Sequence, residues 1–306
     1  MSEKLLQKIE ENDVAKNFAI NFVQDFSRPK YLFGRNIYAN KILEQINITG
    51  FIDDFYQDDT YLNKKVIRLE DTPKDALVLV LSGGNTKSAL KRVKECNFEC
   101  LDYFSFYKYS GLTLTEISMN EGFQEEFDMN QEKFQWIYSL LADDTSKVQF
   151  LNLVNFRYSY DLKYLENFQN LENKQYFEDF LNLQEGETFL DVGGFDGFTS
   201  EEFIKQCPNY NAIHIFEPEL KNLENAKKRL SKYSNVFFHD IGLSNKKEIL
   251  KFDIGGFSSK ISEDGNIEIR VNRLDDVINN NVSFIKMDIE GAESFAIEGG
   301  RKNNYK

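Results

Sequence analysis

The run Phe189-Leu190-Asp191-Val192-Gly193-Gly194-Phe195-Asp196-Gly197 constrains this chain most. An apolar strand ends in an acid, and closely spaced glycines carry the backbone into a helix. Glycine lets the main chain turn tightly and approach a ligand without a Cβ in the way. A strand, a glycine turn and a helix in that order indicate an open α/β sheet. Such sheets hold ligands in the crevice outside the carboxyl ends of their strands. Thr199 and Glu202 have capping-box spacing, which predicts that Thr199 caps the helix that follows.

Alternation of strand and helix recurs along the 306 residues. Residues 1–29 read as an N-terminal helix, with Leu5, Leu6, Ile9, Val14, Phe18 and Phe22 roughly at helical spacing until Pro29 interrupts. Residues 30–110 read as a small Rossmann-like unit. Its strands are Tyr31-Leu32-Phe33, Ile48 to Ile52 and the fully apolar Ala76 to Leu81, with helices at Asn36–Gln45 and from the turn Ser82-Gly83-Gly84-Asn85 through Lys94. Residues 111–180 are helical and aromatic and read as a connector. Residues 181–306 form a second α/β unit. Its strands are expected at 188–192, 212–216, 236–239 and 283–287, with two extended pieces, 248–253 and 266–271, flanking a glycine- and serine-rich turn.

Composition excludes several classes. Acidic side chains number 50 against 37 basic ones, a net charge of −13, which suits nucleic-acid phosphates poorly. No apolar run is long enough to span a bilayer. Met1-Ser2-Glu3-Lys4 leads into an acidic amphipathic stretch without a signal-peptide core, so the expected location is cytoplasmic. The 28 Phe and 15 Tyr supply apolar area for a sizeable core.

The glycine run also discriminates between ligands. Dinucleotides prefer G-x-G-x-x-G, and Val192 stands where the first of those glycines is needed. Carboxylates at Asp191 and Asp196 repel a pyrophosphate and attract a ligand bearing an ammonium. S-adenosyl-L-methionine (SAM) carries an ammonium and a sulfonium. In Ile213-His214-Ile215-Phe216-Glu217-Pro218, an acid ends the next strand about twenty residues on, where a carboxylate can hold a ribose diol; Pro218 ends the strand pairing. In Phe284-Ile285-Lys286-Met287-Asp288-Ile289-Glu290-Gly291-Ala292-Glu293, three acids follow an apolar strand. Acids at a helix start are favourable on dipole grounds alone, yet Asp288 projects towards the crevice of the glycine turn.

The series DVGGFDG, IFEPEL, IGLSNKKEILKF, VNRLDDV and FIKMDIEGAE resembles the FkbM family of SAM-dependent methyltransferases from about Glu187 to Gly300. The stretch Leu140 to Lys147, the pair Tyr176-Phe177 and the GFIDD strand at Gly50 to Asp54 resemble two-domain members. The resemblance implies an α/β fold: a class I Rossmann-like methyltransferase domain with an incomplete sheet, preceded by a smaller Rossmann-like domain and a helical connector. It implies that Asp191, Gly193 and Gly197 shape the SAM methionine pocket and that Gly194, Phe195, Asp196 and Thr199 also bind the cofactor. Glu217 then holds the ribose hydroxyls with Pro218 also at the cofactor, Asp240 and Ile241 border the adenine, and Asp288 and Glu290 sit beside the transferred methyl and the acceptor. Asp288 is the candidate base. The implied reaction is O-methylation of a sugar, a glycan precursor or a similar polar acceptor.

The chain stops soon after its last strand, where sheets of this type continue. This predicts an unpaired edge along Ser283 to Met287, with weak stability, self-association or cover by another chain. Cys96 and Cys100 have C-x3-C spacing but Tyr103 stands where a radical-SAM cysteine is needed. Cys207 is remote and only His214 and His239 occur, so no metal centre is expected. Lys227-Lys228-Arg229 reads as a solvated helix face. Two other functions stay open: a nucleotide-sugar oxidoreductase using the N-terminal unit, with its single-glycine loop at Gly34 and Asp53 beyond, and a catalytically incomplete SAM-binding or interaction module.

Overall fold

The computed structural model describes residues 5–7, 10–81, 85–117, 120–169, 171, 174–253, 260–261, 267–279 and 281–301. The turn expected at Ser82-Gly83-Gly84 and most of the glycine- and serine-rich turn between 253 and 267 lie outside them. The chain divides into two compact units, Met1–Phe168 and Gln169–Lys306.

The first unit begins with α1 (Asp13–Gln24). It is shorter than the periodicity predicts. The Asn12 side chain accepts a hydrogen bond from the Ala15 N–H and starts the helix there, and no helix covers the described residues before it. Then come β1 (Lys30–Phe33), α2 (Tyr38–Leu43), β2 (Gly50–Ile52), β3 (Thr60–Tyr61), β4 (Lys64–Ile67), β5 (Leu77–Val80), α3 (Thr86–Glu95), β6 (Glu99–Asp102) and α4 (Tyr103–Tyr109). The sheet order is β3-β4-β2-β1-β5-β6, parallel except for β3. α2 starts later than expected because Asn36 is spent on the loop: its amide donates to the Leu81 carbonyl and its oxygen accepts from the Tyr38 N–H. Helices α5 (Phe123–Met129), α6 (Gln131–Leu140) and α7 (Asp144–Ser159) follow. Phe123, Phe127, Tyr138 and Val154 form their buried cluster with Leu5.

The second unit contains β7 (Thr188–Val192), α8 (Phe198–Gln206), β8 (Ala212–Phe216), α9 (Leu220–Arg229), β9 (Val236–His239), β10 (Gly242–Leu243), β11 (Glu248–Asp253), β12 (Lys260–Ile261), β13 (Ile267–Asn272), α10 (Leu274–Val277), β14 (Phe284–Met287) and α11 (Glu293–Gly299). The main sheet is parallel, in the order β14-β7-β8-β9. One face packs Phe189 against Phe203, Phe177 and Phe284; the other packs Leu190, Val192 and Phe216 against Leu243, Leu274 and Ala296. A smaller sheet has the order β10-β13-β11-β12. The chain steps from β7 outward to β9, then returns to the far side of β7 as β14. The switch point of the sheet therefore lies between β7 and β14, where ligand crevices form. Among the described residues, the outer edge of β14 pairs with no strand.

The expected capping box does not form. Gly197, at φ +81°, occupies the N-cap position and α8 begins at Phe198, so Thr199 already lies in the first turn. The Asp196 carboxylate accepts the Phe198 N–H at 3.1 Å and makes the turn, while Glu202 pairs with Lys205.

Candidate functional site

The carboxyl ends of β14, β7 and β8 open into a cavity of about 980 Å³ within the second unit. Gly193, Gly194, Phe195, Asp196, Glu217 and Asp288 line it, and Thr199, Pro218 and Glu290 also reach it. The volume lies at the upper end of the range for small-molecule sites. Asp240, Ile241 and Gly197 are not among its lining residues. Asp240 pairs with Arg270, Ile241 packs on the Leu190–Phe216 cluster, and Gly197 sits where α8 meets α9, with Ala226 and Leu230 about its Cα.

The floor is built around Gly193. Its φ is +78°, and a Cβ there would strike the Asp288 carbonyl, so only glycine lets the ends of β7 and β14 close together. Beneath lies Asp191, fully buried. Its Oδ2 accepts the Ser200 hydroxyl at 2.7 Å, and its Oδ1 faces Lys286 Nζ at 3.3 Å without hydrogen-bond geometry. Burial pushes the Asp191 carboxyl up, against the pull of the Lys286 ammonium and the Ser200 hydroxyl. Lys286 also donates to the Gly193 carbonyl at 2.6 Å, and its Nζ lies 5.2 Å from the centre of the Tyr176 ring. Asp191 is thus a neutralised support below the glycine turn. A cationic ligand has to meet other carboxylates.

Glu217 is one of them. Its Oε2 accepts the Phe195 N–H and its Oε1 the Glu219 N–H, each at 2.9 Å. Burial pushes this carboxyl up, while those two N–H groups act the other way. Each oxygen retains a lone pair, so the group can accept from two neighbouring hydroxyls. Phe195 adopts φ +46° to deliver its N–H, and its ring remains largely exposed.

Asp288 is the second. Its Oδ2 accepts the Tyr176 phenol at 2.6 Å, and its backbone N–H donates to the Val192 carbonyl at 3.0 Å. Burial and the bond to the carboxylate push the Tyr176 phenol well above its ordinary range, so it is a donor at neutral pH. Of the three acids in this turn, Glu293 faces inward: its Oε1 accepts from the Ile289 and Gly291 N–H groups and shapes the turn. Glu290, at φ +57°, is exposed.

Arg229 does not lie on a solvated face. Its guanidinium holds the Asp196 carboxylate at 2.5 Å and Glu201 at 3.3 Å, and its Nε donates to the Asp196 carbonyl at 3.0 Å. Asp196 therefore braces the turn rather than standing free. Sequence reasoning missed Lys286, Tyr176, Ser200 and Arg229 as parts of the site. Lys286 carried a signal, because a lysine inside an otherwise apolar strand needs a buried partner. Among the described residues, no group of three or more His, Cys, Asp or Glu could hold a metal ion.

The sheet and its switch-point cavity define a Rossmann-like fold of the class I methyltransferase kind. Residues 191–305 match the family model of the Methyltransferase FkbM domain. The crystal structure of Methyltransferase FkbM from Methylobacillus flagellatus KT is similar, with a TM-score of 0.72 and 19% identity; the match covers 95% of this chain and 80% of that one. Phosphoethanolamine N-methyltransferase 2 from Haemonchus contortus, in complex with SAM, has 10% identity over 75% of this chain and 63% of its own, with a TM-score of 0.20. No curated protein matches the chain.

Proposed function

We propose that the chain is a SAM-dependent methyltransferase acting on a hydroxyl of a sugar, a glycan precursor or a similar polar acceptor. The observation that carries this reading is the pairing of Glu217 and Asp288, two carboxylates facing one cavity from either side of a glycine floor. The residues fit the cofactor: Glu217 is fixed by two backbone N–H groups with lone pairs to spare for a ribose diol, and Gly193 and Gly194 line the cavity with main chain alone. When bound, SAM supplies an electrophilic methyl on a sulfonium. The acceptor oxygen has to be held close and in line with it. Asp288, whose Oδ2 is engaged by Tyr176 and whose Oδ1 takes no part in that bond, is the carboxylate that can meet the donor's positive charge.

Titration calorimetry with SAM, S-adenosylhomocysteine and NAD tests this reading. SAM and S-adenosylhomocysteine should bind and NAD should not. Preferential NAD binding would favour the oxidoreductase alternative, and binding of none of the three would leave an interaction module. Methyl-labelled SAM incubated with mono- and oligosaccharides then tests the acceptor class; label confined to non-hydroxyl acceptors would refute O-methylation.

A further inference from the structure

Tyr176 lies before β7, outside the strand-end motifs that mark the cavity. Three contacts give it a defined place there. Its hydroxyl donates to Asp288 Oδ2 across 112 residues of sequence, its ring lies over the buried Lys286 ammonium, and its side chain forms part of the cavity wall. The adjoining Phe177 is buried among Phe189, Phe203 and Phe284. That anchor fixes the backbone from which the phenol reaches out.

The geometry points to Tyr176 as a positioning residue that turns the Asp288 carboxylate onto the sulfonium of bound SAM, so that the pair sets the preference for the charged donor over neutral S-adenosylhomocysteine. The inference rests on the SAM reading above. Glu217 follows β8 and Asp288 follows β14, with β7 between them, so the two strand ends that carry these carboxylates stand roughly 10 Å apart across the floor. With the ribose at Glu217, the donor's carboxylate is favoured at the N-terminus of α8, where Phe198 and Thr199 reach the cavity. The sulfur would then fall between them, near Gly193, where even a Cβ would strike the Asp288 carbonyl. Asp191 cannot serve this purpose, because Lys286 already neutralises it below the floor. Tyr176 occupies one oxygen of Asp288 and leaves the other for the ligand. Its phenol, pushed up in pKa, keeps that arrangement through neutral and mildly alkaline pH.

Calorimetric titration of the full chain, its Tyr176→Phe and Asp288→Asn variants and the double variant tests this, with SAM, S-adenosylhomocysteine and 5′-methylthioadenosine as probes. Asp288→Asn should lower the ratio of SAM to S-adenosylhomocysteine affinity about tenfold, the size of one charge-assisted contact. Tyr176→Phe should lower it about threefold and add nothing in the Asp288→Asn background. Affinity for 5′-methylthioadenosine, which has neither sulfonium nor ammonium, should stay constant. A ratio unchanged in Tyr176→Phe overturns the proposal. So does equal weakening of SAM and S-adenosylhomocysteine, which would mark the shared ammonium as the group met by Asp288. Loss of 5′-methylthioadenosine binding in Tyr176→Phe would reduce Tyr176 to a structural part. If the unsubstituted chain binds neither SAM nor S-adenosylhomocysteine, the SAM reading itself fails, and the proposal with it.

Discussion

Lys286 carries more of the site's construction than any other single side chain. It is 7% exposed, faces the fully buried Asp191, and donates to the Gly193 carbonyl of the turn that ligands have to approach. A buried ion pair is a weak source of net stability, but removing one partner strands the other. Lys286→Met should cost about 3–5 kcal/mol in urea unfolding of the second unit, and Lys286→Met with Asp191→Asn should recover most of that loss. If the double variant is as unstable as the single one, the ammonium acts through packing and its bond to Gly193 rather than through Asp191. His214, buried, and His239, half-buried, form another close pair: Nδ1 of the first lies 3.1 Å from Nε2 of the second. Burial lowers the pKa of His214; burial and its neighbour bring His239 down to about 4. Both therefore bind protons more weakly folded than unfolded. Unfolding takes up protons, and stability is lost as pH falls from about 6.5 towards 4. For His239 the loss is about 2 kcal/mol once partial exposure is discounted. Thermal melts from pH 7.5 to 4.5 should show the decline, and His239→Gln should flatten it relative to the unsubstituted chain; equal slopes would place the acid sensitivity elsewhere.

At the scale of elements, what was legible in the sequence followed burial. β5 and β7 have every residue buried, so β5 reads as an unbroken apolar run and β7 as an apolar core around Asp191. β4 and β6 do not: Lys64 and Lys65 open the first, and the second is Glu99-Cys100-Leu101-Asp102, with only its last two residues buried. Pairing with neighbours makes these strands, and pairing leaves no periodic trace in so short a run. The site divides the same way. Glu217 and Asp288 are visible as acids that end strands. The downward turn of Asp191 onto Lys286, and the reach of Tyr176 to Asp288, depend on which strands lie side by side. That order, β14 beside β7, is a long-range fact. The glycine turn belongs to this scale too. At Gly193 a methyl group meets both a left-handed φ and the Asp288 carbonyl of the neighbouring strand end. Gly193→Ala should therefore separate the ends of β7 and β14, destabilising the second unit by about 1–3 kcal/mol. It should weaken SAM binding at least tenfold by calorimetry. An alanine variant that binds SAM as well as the original chain would show that the donor does not lie over this turn.

The whole molecule divides its hydrophobic interior between two compact units. Phe22, Leu32, Phe51 and Phe106 belong to buried clustering in the first; Phe189, Phe203, Phe216 and Leu274 belong to the second. Units with their own cores can unfold as separate cooperative steps. The cavity lies within the second unit, so a ligand held there stabilises that unit by mass action and leaves the other untouched. At a hundredfold excess over its dissociation constant, SAM should add about 2.7 kcal/mol to the second unit alone. Scanning calorimetry should resolve two transitions, one moving upward with SAM concentration and the other fixed. Asp288→Asn should shrink the movement in proportion to its lost affinity, and Lys286→Met should lower the same transition before any ligand is added. A single transition, or two that rise together, would mean that the units unfold as one cooperative body. A shift confined to the transition that Lys286→Met leaves in place would put SAM in the first unit, and the Glu217–Asp288 cavity would then need another ligand.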